Sequence, residues 1–285
     1  MASTTTEEMA RDEEISRMEE GDASKINRVE SLCNISNLCS SPSVVTLAQK
    51  LLAEVMGTYF VIFAGCGSVV ANKVYDGTVT FPGICVTWGL IVMVMIYSVG
   101  HISGAHFNPA VTITFAVFRR FPLKEVPLYI GAQLMGSILA SATLAVMYDI
   151  TPKTYFGTVP AGSNGQSLAI EIIISFLLMF VISGVSTDNR AIGELAGIAV
   201  GMTILLNVFV SGQVSGASMN PARSIGPALI KHTYKGLWVY IIGPIIGTLA
   251  GGFAYNLIRF TDKSPRELTK SSSFLKSISR NQASV

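Results

Sequence analysis

The sequence predicts an all-α membrane protein with six transmembrane helices and two re-entrant half-helices arranged as inverted repeats. Two observations carry that prediction. Charged side chains make up 13% of the 285 residues, half the chain is hydrophobic and the mean hydropathy is +0.51, whereas soluble domains carry about 25% charge. Two ten-residue segments lying 112 residues apart, Ser103-Gly-Ala-His-Phe-Asn-Pro-Ala-Val-Thr112 and Ser215-Gly-Ala-Ser-Met-Asn-Pro-Ala-Arg-Ser224, share Ser-Gly-Ala and Asn-Pro-Ala. Each copy follows two long apolar runs and precedes a third, the mark of a duplicated unit.

The elements follow in chain order. Residues 1–45 hold nine acidic and four basic side chains and no aromatic; they cannot bury enough apolar area to fold alone and read as a disordered N-terminal tail. The tail opens acidic and polar, unlike a signal peptide, so insertion falls to the first span. Apolar runs at 46–70, 81–100, 125–148, 167–186, 191–210 and 236–259 are each long enough to cross a hydrocarbon core of about 30 Å as helix. They form a membrane domain over 46–260, with one repeat at about 46–148 and the other at about 167–260. Residues 261–285 form a polar C-terminal tail. The 18 charged residues among the 215 of the membrane domain, against 20 in the 70 flanking residues, draw the same boundaries.

Three crossings per repeat bring the second repeat in from the opposite face, related to the first by an in-plane pseudo-two-fold axis. The stretches 109–118 and 221–231 have ten or eleven residues, which as helix spans about 15–17 Å and reaches mid-membrane. Backbone that stops there must be buried in protein or line a wet cavity, so two half-helices meeting end to end are expected. Asn108-Pro109-Ala110 and Asn220-Pro221-Ala222 begin them, because Asn is a favoured N-cap and Pro a favoured first helical residue. With each Asn oxygen capping its own helix, both amide NH2 groups are expected free to point into the lumen. The two helix N-termini add about half a positive charge each at that midpoint. Cations are repelled there, and a water held by two donors cannot relay a proton along the file.

Lys and Arg placement orients the chain. With both termini, the loop after the second span and the 187–190 loop in the cytoplasm, 15 of the 20 basic residues lie inside. Net charge is only +2, which gives no reason to expect nucleic acid as a partner. Cys33 and Cys39 fall in the tail and Cys66 and Cys85 in spans, so reduced thiols are expected. Asn34-Ile-Ser36 is a glycosylation sequon only if that tail is extracellular. His101 and His106 lack a Cys or acidic partner at ligand spacing; both read as loop-fixing residues, with no metal and no cofactor expected. His232 falls in an exterior loop, and Arg119 and Arg120 are expected to anchor the first half-helix at the interface. Gly131, Gly136, Gly197, Gly201, Gly243, Gly247 and Gly251 read as close helix contacts. Tyr97 and Phe63 read as packing residues.

Paired Asn-Pro-Ala motifs, Gly100-His101-Ile-Ser-Gly-Ala-His106 before the first and Arg223 directly after the second resemble the major intrinsic protein family of aquaporins and aquaglyceroporins. The resemblance covers about 46–260. It implies a homotetramer with one pore per protomer and a selectivity filter on the outer side, built here by Trp88, Val208, Ala217 and Arg223. Water-selective members usually carry Phe and His where this chain has Trp88 and Val208. Losing the His removes a polar group and some bulk, leaving a wider, amphipathic aperture for a polyol or small uncharged acid. The four filter residues, with Gly57-Thr-Tyr-Phe-Val-Ile-Phe-Ala-Gly65, Thr187-Asp-Asn-Arg190 and Thr261-Asp-Lys263, resemble the first subgroup of plant nodulin-26-like intrinsic proteins.

That resemblance implies a passive channel, not an enzyme, for water and glycerol-like solutes, with lactic acid, hydrogen peroxide or metalloid hydroxides as further permeants. Glu54 and Glu171 occupy corresponding places in the repeats and are expected to support the irregular backbone before each half-helix, together with His106. Lys270-Ser-Ser-Ser-Phe-Leu-Lys276 resembles a phosphorylated tail, with Ser273 the target of a basophilic kinase. Plasma membrane is the expected location, with the endoplasmic reticulum or another internal membrane as alternatives. An ion-coupled transporter would also use inverted repeats, and a gated or adhesive tetramer is the competing role.

Overall fold

The structure, a computed structural model, describes residues 42–188, 190–191 and 193–259. The two tails, and with them Ser273, Cys33, Cys39 and the sequon at Asn34, lie outside the described residues. Two units are distinguished, one through Ala53 and one from Glu54 onward; in the first the described residues are the opening turns of α1, and the packing below concerns the second. The helices are α1 (Pro42–Val74), α2 (Thr80–Ser103), α3 (Pro109–Val117), α4 (Val126–Met147), α5 (Asn164–Thr187), α6 (Ala196–Ser211), α7 (Pro221–Lys231) and α8 (Val239–Ile258). Short 3-10 turns at Leu123–Glu125 and Gly193–Leu195 lead into α4 and α6.

Six apolar spans match the predicted runs: Thr46–Val74, Thr80–Ser103, Leu123–Met147, Asn164–Thr187, Gly193–Ser211 and Val239–Ile258. The half-helices α3 and α7 are nine and eleven residues long. Local chemistry sets the starts. Asn108 caps α3 by accepting from the Ala110 N–H at 2.9 Å, and Asn220 caps α7 by accepting from Ala222 at 3.0 Å. Ser163 caps α5 through the Gln166 N–H.

The polarity of the fold is that of a protein dissolved in lipid. Val146, Leu123, Val210 and Leu257 are exposed, while Glu54, Glu171, Gln133, Asn207 and Arg223 are buried. Where lipid surrounds the helices, close approach replaces the hydrophobic drive. At the crossing of α2 and α6, a Cβ on Gly89 would lie 2.7 Å from the Gly201 carbonyl oxygen, and one on Gly201 would lie 2.6 Å from that of Gly89. The two glycines, 112 residues apart like the motifs, bring the repeats together. Each half-helix is then gripped by the other repeat: α7 packs on α4 and α3 on α8. Ser137 on α4 donates to the Ala222 carbonyl at 2.6 Å, while Thr248 on α8 accepts from Thr114 at 2.9 Å.

The end of α5 is tied by charge. Asp188 accepts from the Arg190 side chain at 2.6 and 2.9 Å and from the Tyr255 hydroxyl at 3.0 Å, with Arg259 at 3.9 Å. The Arg190 side chain holds the Asp188 carboxyl well below the usual carboxylate range. Arg120 donates to Asn256 at 2.8 Å, joining the segment after α3 to α8.

Candidate functional site

Two loops converge between the half-helices, and each is built around a buried carboxylate. Glu54 accepts from the Ser103 hydroxyl at 2.7 Å and from the N–H groups of His106 and Phe107 at 3.0 and 2.8 Å. Glu171 accepts from the Ser215 hydroxyl at 2.6 Å and from the N–H groups of Ser218 and Met219 at 2.8 Å each. The backbone repeats as faithfully: φ is 90° at Gly104 and 85° at Gly216, 51° at Ala105 and 49° at Ala217, 49° at Phe107 and 53° at Met219. Left-handed non-glycine residues persist only where the surroundings hold them, and here the carboxylates do so. Tyr129 and Tyr240 complete the match by donating to the carbonyls of Ser103 and Ser215, at 2.9 and 2.7 Å.

The loops part in their side-chain bonding at His106 and its counterpart Ser218. His106 shares a hydrogen bond of 3.1 Å with Thr112 and packs among Phe115, Phe121 and Tyr129. The corresponding Ser218 bonds Ser224 at 2.7 Å, and Ser224 reaches Thr158 of the loop before α5 at 2.6 Å. Gln133 is a further buried support in the first repeat, donating to Glu54 at 2.8 Å and to Thr112 at 3.0 Å. His101 does not fix the loop as expected: it is exposed and lines a vestibule.

The two Asn amides are not both free. Asn108 donates through its side-chain nitrogen to the Met219 carbonyl at 2.8 Å, and Asn220 to the Phe107 carbonyl at 2.8 Å. A carbonyl turned out by each left-handed loop residue would otherwise be buried without a donor, so each loop takes one amide proton of the opposite Asn. One N–H per amide remains for the lumen.

Three cavities share walls in series. The central lumen, about 120 Å³, is lined by both Asn residues, by Val92, Val200 and Ile204, and by Trp88, Val208, Ala217 and Arg223 together. Trp88, Val208 and Arg223 also border a vestibule of about 550 Å³. At the other end Ile96, His106 and Phe115 are shared with a vestibule of about 800 Å³. Tyr97 lines that far vestibule, donates to the Glu194 carbonyl at 3.0 Å and is half exposed, so its reading as plain packing does not hold. Phe63 does pack, stacked on Tyr59.

At the junction of lumen and first vestibule, the Arg223 guanidinium lies 4.9 Å from the centre of the Trp88 ring. It is neighbour to the indole in a cation–π contact. Arg223 is 3% exposed, and its Nε and Nη1 have no partner among the described residues. The indole is seated against α1 by a missing side chain: a Cβ on Gly65 would lie 2.5 Å from the ring. Burial pushes the hydroxyl of Tyr155, on the vestibule wall, up to about 12, so it stays neutral.

Gly65, Gln133, Tyr129 and Tyr240 were not singled out by sequence reasoning. The spacing of the two tyrosines, 111 residues, was a usable signal, since it nearly repeats the motif offset.

A scaffold of six spans with two half-helices meeting over one lumen defines a membrane channel, and comparisons with known proteins agree. The major intrinsic protein family matches residues 41–255. The chain is 74% identical over 266 residues to a probable aquaporin of NIP type from Nicotiana alata, covering 93% of this chain and 97% of that one. It is 58% identical over 232 residues to nodulin-26 of Glycine max, covering 81% and 86%. In fold it resembles the aquaglyceroporin of Plasmodium falciparum, with a TM-score of 0.68 at 24% identity over 74% of this chain and 96% of that one. The chain belongs to the major intrinsic protein family and is similar to its plant nodulin-26-like members. It is an integral multi-pass membrane channel for water and small solutes, not an enzyme.

Proposed function

We propose that the protein passes water and small uncharged solutes of the glycerol class passively, and excludes ions and protons. Lactic acid, hydrogen peroxide and metalloid hydroxides fit the same aperture. The observation that supports the reading is that Trp88, Val208, Ala217 and Arg223 all line one lumen. A polyol there lays its carbons on the indole and on Val208 and offers its hydroxyl oxygens to the unpartnered Arg223 nitrogens. Proton exclusion is supported by the positive ends of α3 and α7 and by the one amide N–H that Asn108 and Asn220 each retain. Glu54, Glu171 and His106 hold the loops that present these groups.

In this reading 46–260 is the channel domain, flanked by cytoplasmic tails, and the filter-side vestibule is external. The working form is a homotetramer with a pore in each protomer, in the plasma membrane, and a basophilic kinase acts on Ser273. The test is stopped-flow light scattering on liposomes holding the purified protein, with an internal pH dye. Water and glycerol equilibrate faster than in empty liposomes while an imposed pH gradient decays no faster. Accelerated pH decay, or no gain in either neutral flux, overturns the reading.

A further inference from the structure

We propose that the filter-side vestibule is a docking site for a short monocarboxylate anion, held by Lys73, Lys231 and Arg223. Docking requires no flux, so the proposal stands apart from the channel reading. All three charged side chains lining this cavity are basic. Among the described residues no carboxylate is within ion-pair distance of any of them. Arg223 is the strongest element, a buried guanidinium with Nε and Nη1 unpartnered. Lys73 donates to the Tyr155 carbonyl at 2.6 Å, which fixes its ammonium to the wall and leaves two N–H groups.

The opposing contribution is small. The C-terminus of α7, which ends at Lys231, carries about half a negative charge against three formal positive charges. A cavity with one sign of charge and low-dielectric walls concentrates counter-ions. The walls choose among anions: Phe81, Ile84 and Trp88 line the same cavity as the cations, Trp88 in contact with Arg223, and offer an apolar surface to the carbon body of a short carboxylate. A chloride ion has no use for them, and a dianion loses more hydration against them.

The chain has two tryptophans, and Trp238 is half exposed on the helix start of α8, so W238F protein reports on Trp88 alone. In full-length W238F protein in liposomes, iodide added outside quenches Trp88 by collision, and acrylamide serves as the neutral reference. We expect Lys73→Gln with Lys231→Gln to cut the iodide slope about threefold and leave the acrylamide slope unchanged, with the charge-keeping Arg pair restoring it. Acetate is expected to protect Trp88 from iodide better than chloride at equal ionic strength.

An iodide slope indifferent to the Gln pair overturns the proposal, and so does equal protection by acetate and chloride, which leaves only a diffuse positive field. Glycerol flux measured on the same liposomes separates the two readings. Flux without carboxylate protection sinks the docking site alone, and protection without flux sinks the channel reading alone.

Discussion

Glu171 shows what a single buried side chain does here. It takes the Ser215 hydroxyl and two backbone N–H groups, and each buried donor left without its acceptor costs about 1–3 kcal/mol. Glu171→Leu leaves all three donors without their acceptor; the expected loss is about 3 kcal/mol or more of stability, read as a lower aggregation temperature by fluorescence size-exclusion chromatography. A variant as stable as the parent would show that the loop holds itself. Asp188 makes a pH-dependent contribution with a definite sign. Its folded carboxyl titrates below the ordinary aspartate value because of Arg190, so the stabilisation is present at neutral pH and is lost as pH falls below about 4. Asp188→Asn is accordingly expected to melt lower than the parent at pH 7, with the gap closing on acidification. A gap that widens in acid contradicts this assignment.

At the scale of elements, the spans and half-helices were legible because lipid leaves few choices. Twenty apolar residues must be a crossing helix, and Asn-Pro before ten apolar residues must start a shorter one. The contacts that join elements were not legible. Each Asn gives one amide proton to a carbonyl of the opposite loop, and that exchange exists only after residues more than a hundred positions apart meet. Gly65 stands in the quoted Gly57–Gly65 stretch, yet its purpose appears only when Trp88 lies against it. His101 and His106 look alike in the chain, but only His106 is enclosed by Phe115, Phe121 and Tyr129. The α2–α6 crossing gives a test at this scale. Gly201→Leu drives a side chain into the Gly89 backbone, and overpacking of this kind costs about 1–3 kcal/mol or more. Because Trp88 and Val208 ride on these two helices, the loss of stability should come with a loss of solute selectivity. A Leu variant with parental melting and flux would mean that the repeats are held together elsewhere.

For the molecule as a whole, the inverted repeat explains why one lumen has an even centre and uneven ends. The centre is built from matched parts, Glu54 with Glu171, Tyr129 with Tyr240 and Asn108 with Asn220. The ends diverge where the repeats carry different residues, with Arg223 and its indole at one vestibule and His106 among aromatics at the other. In the proposed reading selectivity belongs to the end that holds Trp88 and Arg223, and those residues are part of what carries the resemblance to nodulin-26-like proteins. The most direct measurement is stopped-flow glycerol and water permeability of liposomes holding the wild-type chain or a Trp88→Phe, Val208→His double variant. The imidazole adds bulk and polarity where Val208 stood, so glycerol permeability should fall about tenfold or more while water permeability persists. Glycerol flux unchanged by the double variant, in folded protein, would contradict the assignment of this junction as the filter.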